Sequence, residues 1–333
     1  MTAIGFGVIG TGAIGRLHAR HLVSSVPGAR LVAVSDVVHA AADACAQDTG
    51  AKAYAGPSGL LADPQVEAVV IASPPDTHAG IIEAAAAAGK QIFCEKPIDC
   101  EIEKIDRALA AVARAGVKLQ IGFNRRFDAN YRAAHEAVAS GKIGRPLIVH
   151  LVSRDPKLPV VSDTRNAAGL FLDMTIHDFD MARYLTGGEV TEVRALAGRM
   201  LHDAGDLDTA LITLRFADGA FGTIDNGQTA YGYDQRAEVF GTEGVVATEN
   251  ERPNRATLTD SAGGHTALAL YFFVERFAES YIAELRAFAD CIRQDTEPSV
   301  SGADGRIAVV IALAAQRSYD EGRPVSLSEF GEG

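Results

Sequence analysis

Two side chains in this sequence, those of Lys96 and His177, are suited to proton transfer at an alcohol. Lys96 lies in Glu95-Lys96-Pro97, directly after an apolar segment. Its cation could hold a substrate hydroxyl and stabilise the alkoxide that develops before a hydride leaves. Pro97 restricts Lys96 to extended backbone angles, which fixes the direction of the side chain. The alternative interpretation is a surface lysine before a turn.

The second of these side chains, His177, lies between two acids at helical spacing. Asp173, His177 and Asp180 follow the i, i+4, i+7 pattern, which places them on one face of a predicted helix. Acids on both sides would orient the imidazole and raise its affinity for a proton, as a general base for an alcohol requires. A helix histidine among solvated acids is the alternative. A metal site is disfavoured, because no cysteine lies at zinc-like spacing.

A glycine-rich loop near the N-terminus predicts a dinucleotide-binding site. The loop reads Gly10-Thr11-Gly12-Ala13-Ile14-Gly15, the G-x-G-x-x-G spacing, between a predicted strand and a predicted helix. Its glycines permit a tight turn, let the backbone approach a diphosphate and let the helix pack on the strand. The diphosphate would then lie at the positive end of the helix dipole. A plain turn is the alternative.

Asp36 ends the second predicted strand and indicates which dinucleotide is bound. It lies 21 residues after Gly15, where an acid accepts hydrogen bonds from the ribose hydroxyls and repels a 2′-phosphate. The following Val37-Val38 offers no arginine to hold that phosphate. NAD is therefore favoured over NADP as the cofactor.

Further polar residues follow predicted strands, and ligands bind beyond the carboxyl ends of the strands in a doubly wound sheet. Candidate cofactor contacts are Ser73, His78 and Glu95. For the first two, a Pro-rich turn that caps the next helix is the alternative. Of the two consecutive arginines, Arg125 and Arg126, one is a candidate substrate contact and the other is expected to form an ion pair at the interface between the domains. The remaining candidate substrate contacts, otherwise ordinary loop residues, are Asn124, Arg125, Asp155 and Tyr233.

The elements that must position these residues form two domains. Predicted strands over 4–9, 31–35, 66–72, 91–94 and 117–121 alternate with amphipathic helices, as in a parallel sheet covered on both faces. Later come a helix over 169–185, alternating strands with a hairpin turn at 217–219, and closing helices over 273–293 and 302–321. We therefore predict an α/β fold, with a Rossmann doubly wound domain over 1–122. An α+β substrate domain with an open, mainly antiparallel sheet follows over 123–333, and its last helices could pack back on the first domain.

The composition excludes several classes of protein. The 333 residues carry a formal net charge of −12 without a basic cluster, which disfavours nucleic-acid binding. No apolar run reaches the ~18 residues of a membrane span, and the N-terminal residues lack the basic segment of a signal peptide. The four cysteines are scattered without a CxxC pair, which favours a reducing cytoplasm over a disulfide framework or a structural zinc site.

Taken together, these residues resemble the glucose-fructose oxidoreductase/inositol dehydrogenase/MocA-like family over nearly the whole chain. The glycine loop, Asp36, Glu95-Lys96-Pro97 and the helix with Asp173 and His177 carry the resemblance. Within the family, FNRRFD, DMTIHDFDMARYL and YGYDQRAEVFGTEG are similar to bacterial myo-inositol 2-dehydrogenases. The resemblance implies a tetramer built through the large sheet of the second domain. It also implies a catalytic set of Lys96, Asp173 and His177 and substrate contacts from Arg125, Asp155, Asp180 and Tyr233.

The expected reaction is NAD-dependent oxidation of a ring hydroxyl of a cyclitol, myo-inositol to 2-keto-myo-inositol, by hydride transfer in carbohydrate catabolism. Segments 155–163 and 166–169 depart from many inositol enzymes, since 166–169 reads Asn-Ala-Ala-Gly where those have Ser-Gly-Gly. Because these loops should line the substrate mouth, scyllo-inositol or an aldose of the glucose type is an alternative substrate. An NAD-dependent glycoside hydrolase and a non-catalytic NAD sensor are further alternatives.

Overall fold

The computed structural model describes residues 3–156, 169–201, 207–229 and 231–331. The chain divides into two compact units. The first unit runs through Asn124 and includes the later segment Glu279–Val309, and the second consists of Arg125–Ala278 and the chain from Val310 onward. None of the helices in the described ranges combines the length and the apolar character that a membrane span requires.

The first unit contains a six-stranded parallel sheet. Its elements are, in chain order, β1 (Ile4–Ile9), α1 (Ala13–Ser24), β2 (Ala29–Ser35), α2 (His39–Thr49), β3 (Lys52–Tyr54), α3 (Pro57–Leu61), β4 (Ala68–Ile71), α4 (Pro75–Ala87), β5 (Gln91–Glu95), α5 (Ile102–Ala115) and β6 (Leu119–Gly122). The strand order β3-β2-β1-β4-β5-β6 is that of a Rossmann domain, as predicted. The sequence prediction lacks β3 and α3, because such short elements carry little periodicity.

The second unit contains a mixed sheet. Its elements are α6 (Ala129–Ala139), β7 (Pro146–Pro156), a π-helical turn (Phe171–Thr175), α7 (Ile176–Thr186), β8 (Val190–Gly198), β9 (Thr209–Phe216), β10 (Phe221–Thr229), β11 (Asp234–Gly241), β12 (Val245–Thr248), β13 (Thr257–Asp260), β14 (Gly263–Thr266) and α8 (Phe273–Arg276). The chain continues through α9 (Ala278–Gln294) and α10 (Gly302–Glu321) to β15 (Val325–Ser326).

Seven strands of the second unit form one sheet in the order β12-β11-β7-β10-β9-β8-β15. Within the part of the sheet that the structure describes, β7 and β10 pair in parallel and the other strand pairs are antiparallel, which confirms the predicted, mainly antiparallel arrangement. The turn between β9 and β10 is the predicted one, with Gly219 at φ +89° and the Asp218 carboxylate accepting from the Ala220 N–H at 3.0 Å.

The closing helix predicted over 273–293 is interrupted at Phe277, and this part of the prediction is wrong. The Phe277 ring is buried, stacks with Tyr131 and meets Tyr233 edge-on, with ring-centroid distances of 6.4 and 5.9 Å. The Arg276 guanidinium lies 4.6 Å from the centre of the same ring. These contacts outweigh local helix propensity, so the backbone leaves the helix at Phe277 and separates α8 from α9.

The core of the first unit depends on α9. Phe288 from this helix packs against Phe6 of β1 and Phe93 of β5, at ring-centroid distances of 6.2 and 6.0 Å. Leu285 and Ala289 belong to the same buried cluster. A segment remote in sequence therefore covers one face of the parallel sheet.

Candidate active site

The glycine loop turns the chain from β1 into α1 at the carboxyl edge of the parallel sheet. Gly10 has φ +91°, and a Cβ on Gly15 would lie only 1.9 Å from the Gly10 carbonyl oxygen. Gly12 precedes α1, no side chain caps the first turn, and a Cβ on Gly12 would meet nothing within 4 Å. The first turn of α1, with Ala13 and Ile14, is thus open to a ligand, and its backbone N–H groups fit a diphosphate.

Asp36 follows β2 and is held as an anion. Its carboxylate accepts hydrogen bonds from Thr11 N at 2.7 Å, Thr11 Oγ1 at 3.0 Å and Val38 N at 2.9 Å. Burial raises the pKa of Asp36, but the N–H groups of Thr11 and Val38 lower it more, so the net pKa lies below the usual value. The next side chain, Val37, is 89% exposed. The end of β2 therefore offers an anion to a ribose, and the side chain that follows it, Val37, is uncharged.

His78 connects the loops that follow β4 and β5. Its ring is buried, with Nε2 2.7 Å from the Ser73 carbonyl oxygen and Nδ1 2.7 Å from the Pro97 carbonyl oxygen. The hydroxyls of Ser73 and Thr77 lie 2.7 Å apart. These bonds fix the backbone next to Lys96, whose peptide bond to Pro97 is cis. Cofactor contacts by Ser73 and His78 stay predictions.

Glu95, at the end of β5, belongs to a cluster that the sequence analysis does not contain. Its Oε1 lies 2.6 Å from His18 Nε2 of α1. The Glu284 carboxyl of α9 lies within 4.8 Å of both groups. Burial, and then the charge of Glu95, raise the pKa of Glu284 well above its usual value. The structure thus places Glu95 against two buried ionisable groups, and its predicted cofactor contact stays a prediction.

In the second unit, Asp173 and His177 lie where the π-helical turn passes into α7. Asp173 is inside the π-helical turn and His177 is in the first turn of α7, and both are half-buried. Asp180 differs from them, because it is buried and accepts two hydrogen bonds from the Arg126 guanidinium, at 2.6 and 2.8 Å. The predicted helix over 169–185 is confirmed, but residues 171–175 form a π-helical turn. A π turn holds more residues than an α turn, so the regular spacing expected of Asp173, His177 and Asp180 is interrupted.

Arg125 and Asp178 form a buried ion pair beside His177. Arg125 Nη1 lies 2.7 Å from Asp178 Oδ1, and the second carboxylate oxygen accepts from Asn226 Nδ2 of β10 at 3.2 Å. Arg125 also donates to Ser153 Oγ of β7 at 3.3 Å. Burial raises the pKa of Asp178, although the charge of Arg125 opposes the shift. This network holds α7 on the sheet.

Both arginines of 125–126 therefore form ion pairs inside the second unit. Asp178 is the buried partner of Arg125 and Asp180 that of Arg126, and the expected interface pair stays a prediction. Substrate contacts by Arg125 and Asp180 stay predictions.

The other predicted substrate contacts lie in three different environments. Asp155, near the end of β7, is half-buried, and Gln235 Nε2 lies 3.5 Å from its Oδ1. Tyr233 is buried, and burial raises the pKa of its hydroxyl, which stays protonated. Asn124, in the first unit, is buried and donates to Ser280 Oγ at 3.3 Å. Segments 157–163 and 166–168, expected at the substrate mouth, lie outside the described residues.

Comparison with known proteins identifies the family. Residues 4–123 match the oxidoreductase family with an NAD-binding Rossmann fold, and residues 131–247 match the GFO/IDH/MocA C-terminal domain. The chain is 44% identical over 329 residues to the myo-inositol 2-dehydrogenase of Thermotoga maritima, which covers 97% of this chain and 98% of that protein. The chain belongs to the GFO/IDH/MocA family. The resemblance read from the sequence is thereby confirmed.

Two further relatives of this GFO/IDH/MocA oxidoreductase are informative about its cofactor. The scyllo-inositol 2-dehydrogenase (NAD(+)) of Bacillus subtilis is 39% identical over 326 residues, 96% of this chain and 95% of that protein. The crystal structure of scyllo-inositol dehydrogenase from Lactobacillus casei with bound NAD(H) and scyllo-inositol has a TM-score of 0.92 and 31% identity, and covers 98% of this chain and 100% of that one. NAD is the cofactor, as the sequence predicts.

Proposed function

We propose that this chain catalyses the NAD-dependent oxidation of one ring hydroxyl of a cyclitol, myo-inositol to 2-keto-myo-inositol. One observation carries the proposal: a dinucleotide loop next to an ionised Asp36 occurs in a chain 44% identical, over almost its whole length, to a myo-inositol 2-dehydrogenase. Scyllo-inositol is the second candidate substrate, because a relative 39% identical carries that name.

The catalytic set of the proposal is Lys96, Asp173 and His177. Lys96 binds the reacting hydroxyl and stabilises the alkoxide that develops on it. His177, oriented by Asp173, accepts the hydroxyl proton as a general base. The bound nicotinamide supplies the hydride acceptor. Support comes from the half-buried positions of Asp173 and His177 at a π-helical turn, a feature frequent at functional sites.

The first unit supplies the groups that would hold NAD. The open first turn of α1, which begins after Gly12, would bind the diphosphate. Asp36 would accept hydrogen bonds from the ribose hydroxyls.

Substrate contacts form a separate part of the proposal. Asp155 is a half-buried carboxylate near the end of β7, and a carboxylate accepts hydrogen bonds from the hydroxyls of a polyol. Arg125 and Asp180 already hold close charged partners, and Tyr233 is buried. We propose all four side chains as substrate contacts.

Formation of NADH by the purified chain tests the proposed reaction. The panel comprises myo-inositol, scyllo-inositol, D-glucose, L-glucose and D-xylose, each with NAD and with NADP. NADH formation with an inositol is the expected result, and the relative rates rank the stereochemistry. Oxidation of the aldoses alone would show that the substrate is an aldose and not a cyclitol. Silence across the panel, with NAD still bound, would contradict the proposal and favour a hydrolase or a sensor.

We also propose a homotetramer formed through the outer face of the seven-stranded sheet. The strand register places large apolar side chains on this one face, each between 47% and 60% exposed: Leu196, Leu211, Phe221, Phe240 and Val245. Exposed apolar surface of this kind is typical of protein interfaces. Light scattering should give the mass of four chains, and Leu211→Glu should give a smaller species. A wild-type monomer would contradict the assembly.

A cytoplasmic location and a role in carbohydrate catabolism complete the proposal. The four cysteines are free, and three of them are buried. Free cysteines favour a reducing compartment. Cell fractionation tests the location, and growth on inositol with and without the gene tests the role.

A further inference from the structure

Three ionisable side chains meet in the interior of the first unit and have no part in the proposed mechanism. They are His18 of α1, Glu95 at the end of β5 and Glu284 of α9. One ligand atom of each lies within 4.8 Å of the others. His18 and Glu284 are fully buried, and the Glu95 side chain is 13% exposed. Glu95 directly precedes Lys96 in the sequence, so the cluster lies next to the backbone of Lys96.

The two carboxyl groups of this cluster have different partners. Glu95 Oε1 lies 2.6 Å from His18 Nε2, a distance typical of a charge-assisted hydrogen bond. Both oxygens of Glu284 are buried, and neither has a hydrogen-bond partner among the described residues. An ionised Glu284 would therefore be desolvated, without hydrogen bonds and next to a second carboxylate, three conditions that each disfavour the charge.

The elements packed around Glu284 do not neutralise it. On α1, His21 lies one turn beyond His18, and burial together with the charge of His18 lowers its pKa to about 4. On α9, the ring of Tyr281 lies edge-on to His18 at 5.9 Å. On β6, the neutral Gln120 donates to the Glu284 carbonyl oxygen at 2.9 Å. Among the described residues, the charge that raises the pKa of Glu284 is that of Glu95.

A metal ion would be another way to balance two carboxylates, but the geometry disfavours it. Ligand atoms around a tetrahedral zinc ion lie roughly 3.3 Å apart, because bonds of about 2.0 Å meet at the tetrahedral angle. The 2.6 Å between His18 Nε2 and Glu95 Oε1 is shorter, and it fits a direct hydrogen bond between the two groups.

We propose that Glu284 is a positioning residue that keeps one proton in this cluster, so that Glu95 stays on His18 at the strand end that carries Lys96. As a neutral acid, Glu284 fills the space beside Glu95 without repelling it. Ionisation would place two carboxylates side by side, and Glu95 would move away from His18. The backbone of Lys96, the next residue, would then lose its fixed position. The consequence for turnover rests on the function proposed for Lys96.

Glu284→Gln tests whether Glu284 is protonated in the folded chain, because glutamine has nearly the size of glutamate and no charge. The matched control is Glu279→Gln, which removes the same formal charge from an exposed position on the same helix. The readout is the unfolding midpoint of the full chain between about pH 5 and about pH 9. Glu284→Gln should be at least as stable as wild type at about pH 8, with an advantage that grows with pH, while the control follows wild type.

Two results would overturn the proton assignment. The first is a loss of several degrees in the midpoint of Glu284→Gln at about pH 8, which would show that wild-type Glu284 is ionised and paired. The second is one equivalent of a divalent metal in each purified chain.

Turnover separates positioning from stability. Glu284→Ala removes the side chain that fills the space beside Glu95, and it should lower kcat by about tenfold with KM for NAD within about twofold. Glu284→Gln should keep kcat within about twofold of wild type. Equal turnover of the alanine variant and wild type would refute positioning. If wild type oxidises nothing in the panel, the proposed function has failed, and the stability measurement still decides the protonation of Glu284.

Discussion

Replacing the acid that follows β2 by serine, with an arginine as the next residue, should change the dinucleotide that this enzyme uses. The change is Asp36→Ser combined with Val37→Arg. Asp36 is held as an ionised carboxylate by Thr11 and Val38, and the exposed Val37 side chain leaves room for a longer one. The double variant removes an anion and adds a cation where the ribose 2′-position is expected.

The magnitude follows from the charges. Two unit charges about 4 Å apart interact by roughly 4 kcal/mol at an effective dielectric constant of about 20. Asp36 is only half-buried, so solvent screens part of this, and relief of the repulsion is worth about 2 kcal/mol. An arginine at position 37 adds a similar attraction to a 2′-phosphate. The ratio of kcat/KM for NADP to that for NAD should rise by about three orders of magnitude.

Initial rates with both dinucleotides at saturating inositol measure this ratio. Val38→Arg is the matched control, because it adds the same charge one residue later and leaves Asp36 in place. Because the pKa of Asp36 lies below its usual value, the wild-type preference should not change between neutral and alkaline pH. A double variant that binds NAD and keeps the wild-type ratio would show that Asp36 does not face the ribose.

Three further predictions concern the proposed base and two buried acids. His177→Ala should lower kcat by about two to four orders of magnitude, and near-wild-type rates would contradict its role. Asp178→Ala leaves the Arg125 charge buried and should cost about 3–5 kcal/mol in urea unfolding, against less than about 1 kcal/mol for Asp48→Ala in an exposed ion pair. The pKa of Glu284 is raised in the folded chain. The contribution of this side chain to the free energy of unfolding is therefore full below the usual glutamate pKa, and it declines as pH rises because the folded chain keeps a proton that the unfolded chain loses. Relative to Glu284→Gln, wild type should therefore lose up to about 1.4 kcal/mol per pH unit, and parallel curves would contradict this.

The elements with the clearest patterns could be predicted from the sequence. β1 and α10 have the predicted bounds, 4–9 and 302–321, because in each case the apolar periodicity ends just before a glycine, Gly10 or Gly322. The hairpin β13–β14 lies outside the prediction, since its residues are exposed and carry no apolar periodicity. The interruption at Phe277 depends on contacts with residues far away in the chain, which no local pattern contains.

The same distinction applies to the candidate site. The glycine loop and Asp36 are read from short spacings along one βαβ unit, where fold and sequence order agree. His18 and Glu95 are 77 residues apart, and Glu284 comes from a helix near the C-terminus, so the fold alone brings them together. The pairing of Arg125 with Asp178 likewise depends on how α7 lies on the sheet.

The nucleotide-binding unit cannot complete its core while the ribosome is still making the chain. Phe6 and Phe93 emerge early, but the ring that packs on both belongs to Phe288 of α9. Until that helix emerges, apolar side chains of the parallel sheet face water, and such nascent surfaces are bound by chaperones or aggregate. A gene fragment that ends after β6 therefore encodes an aggregation-prone polypeptide, although it contains every strand of the parallel sheet and the whole glycine loop.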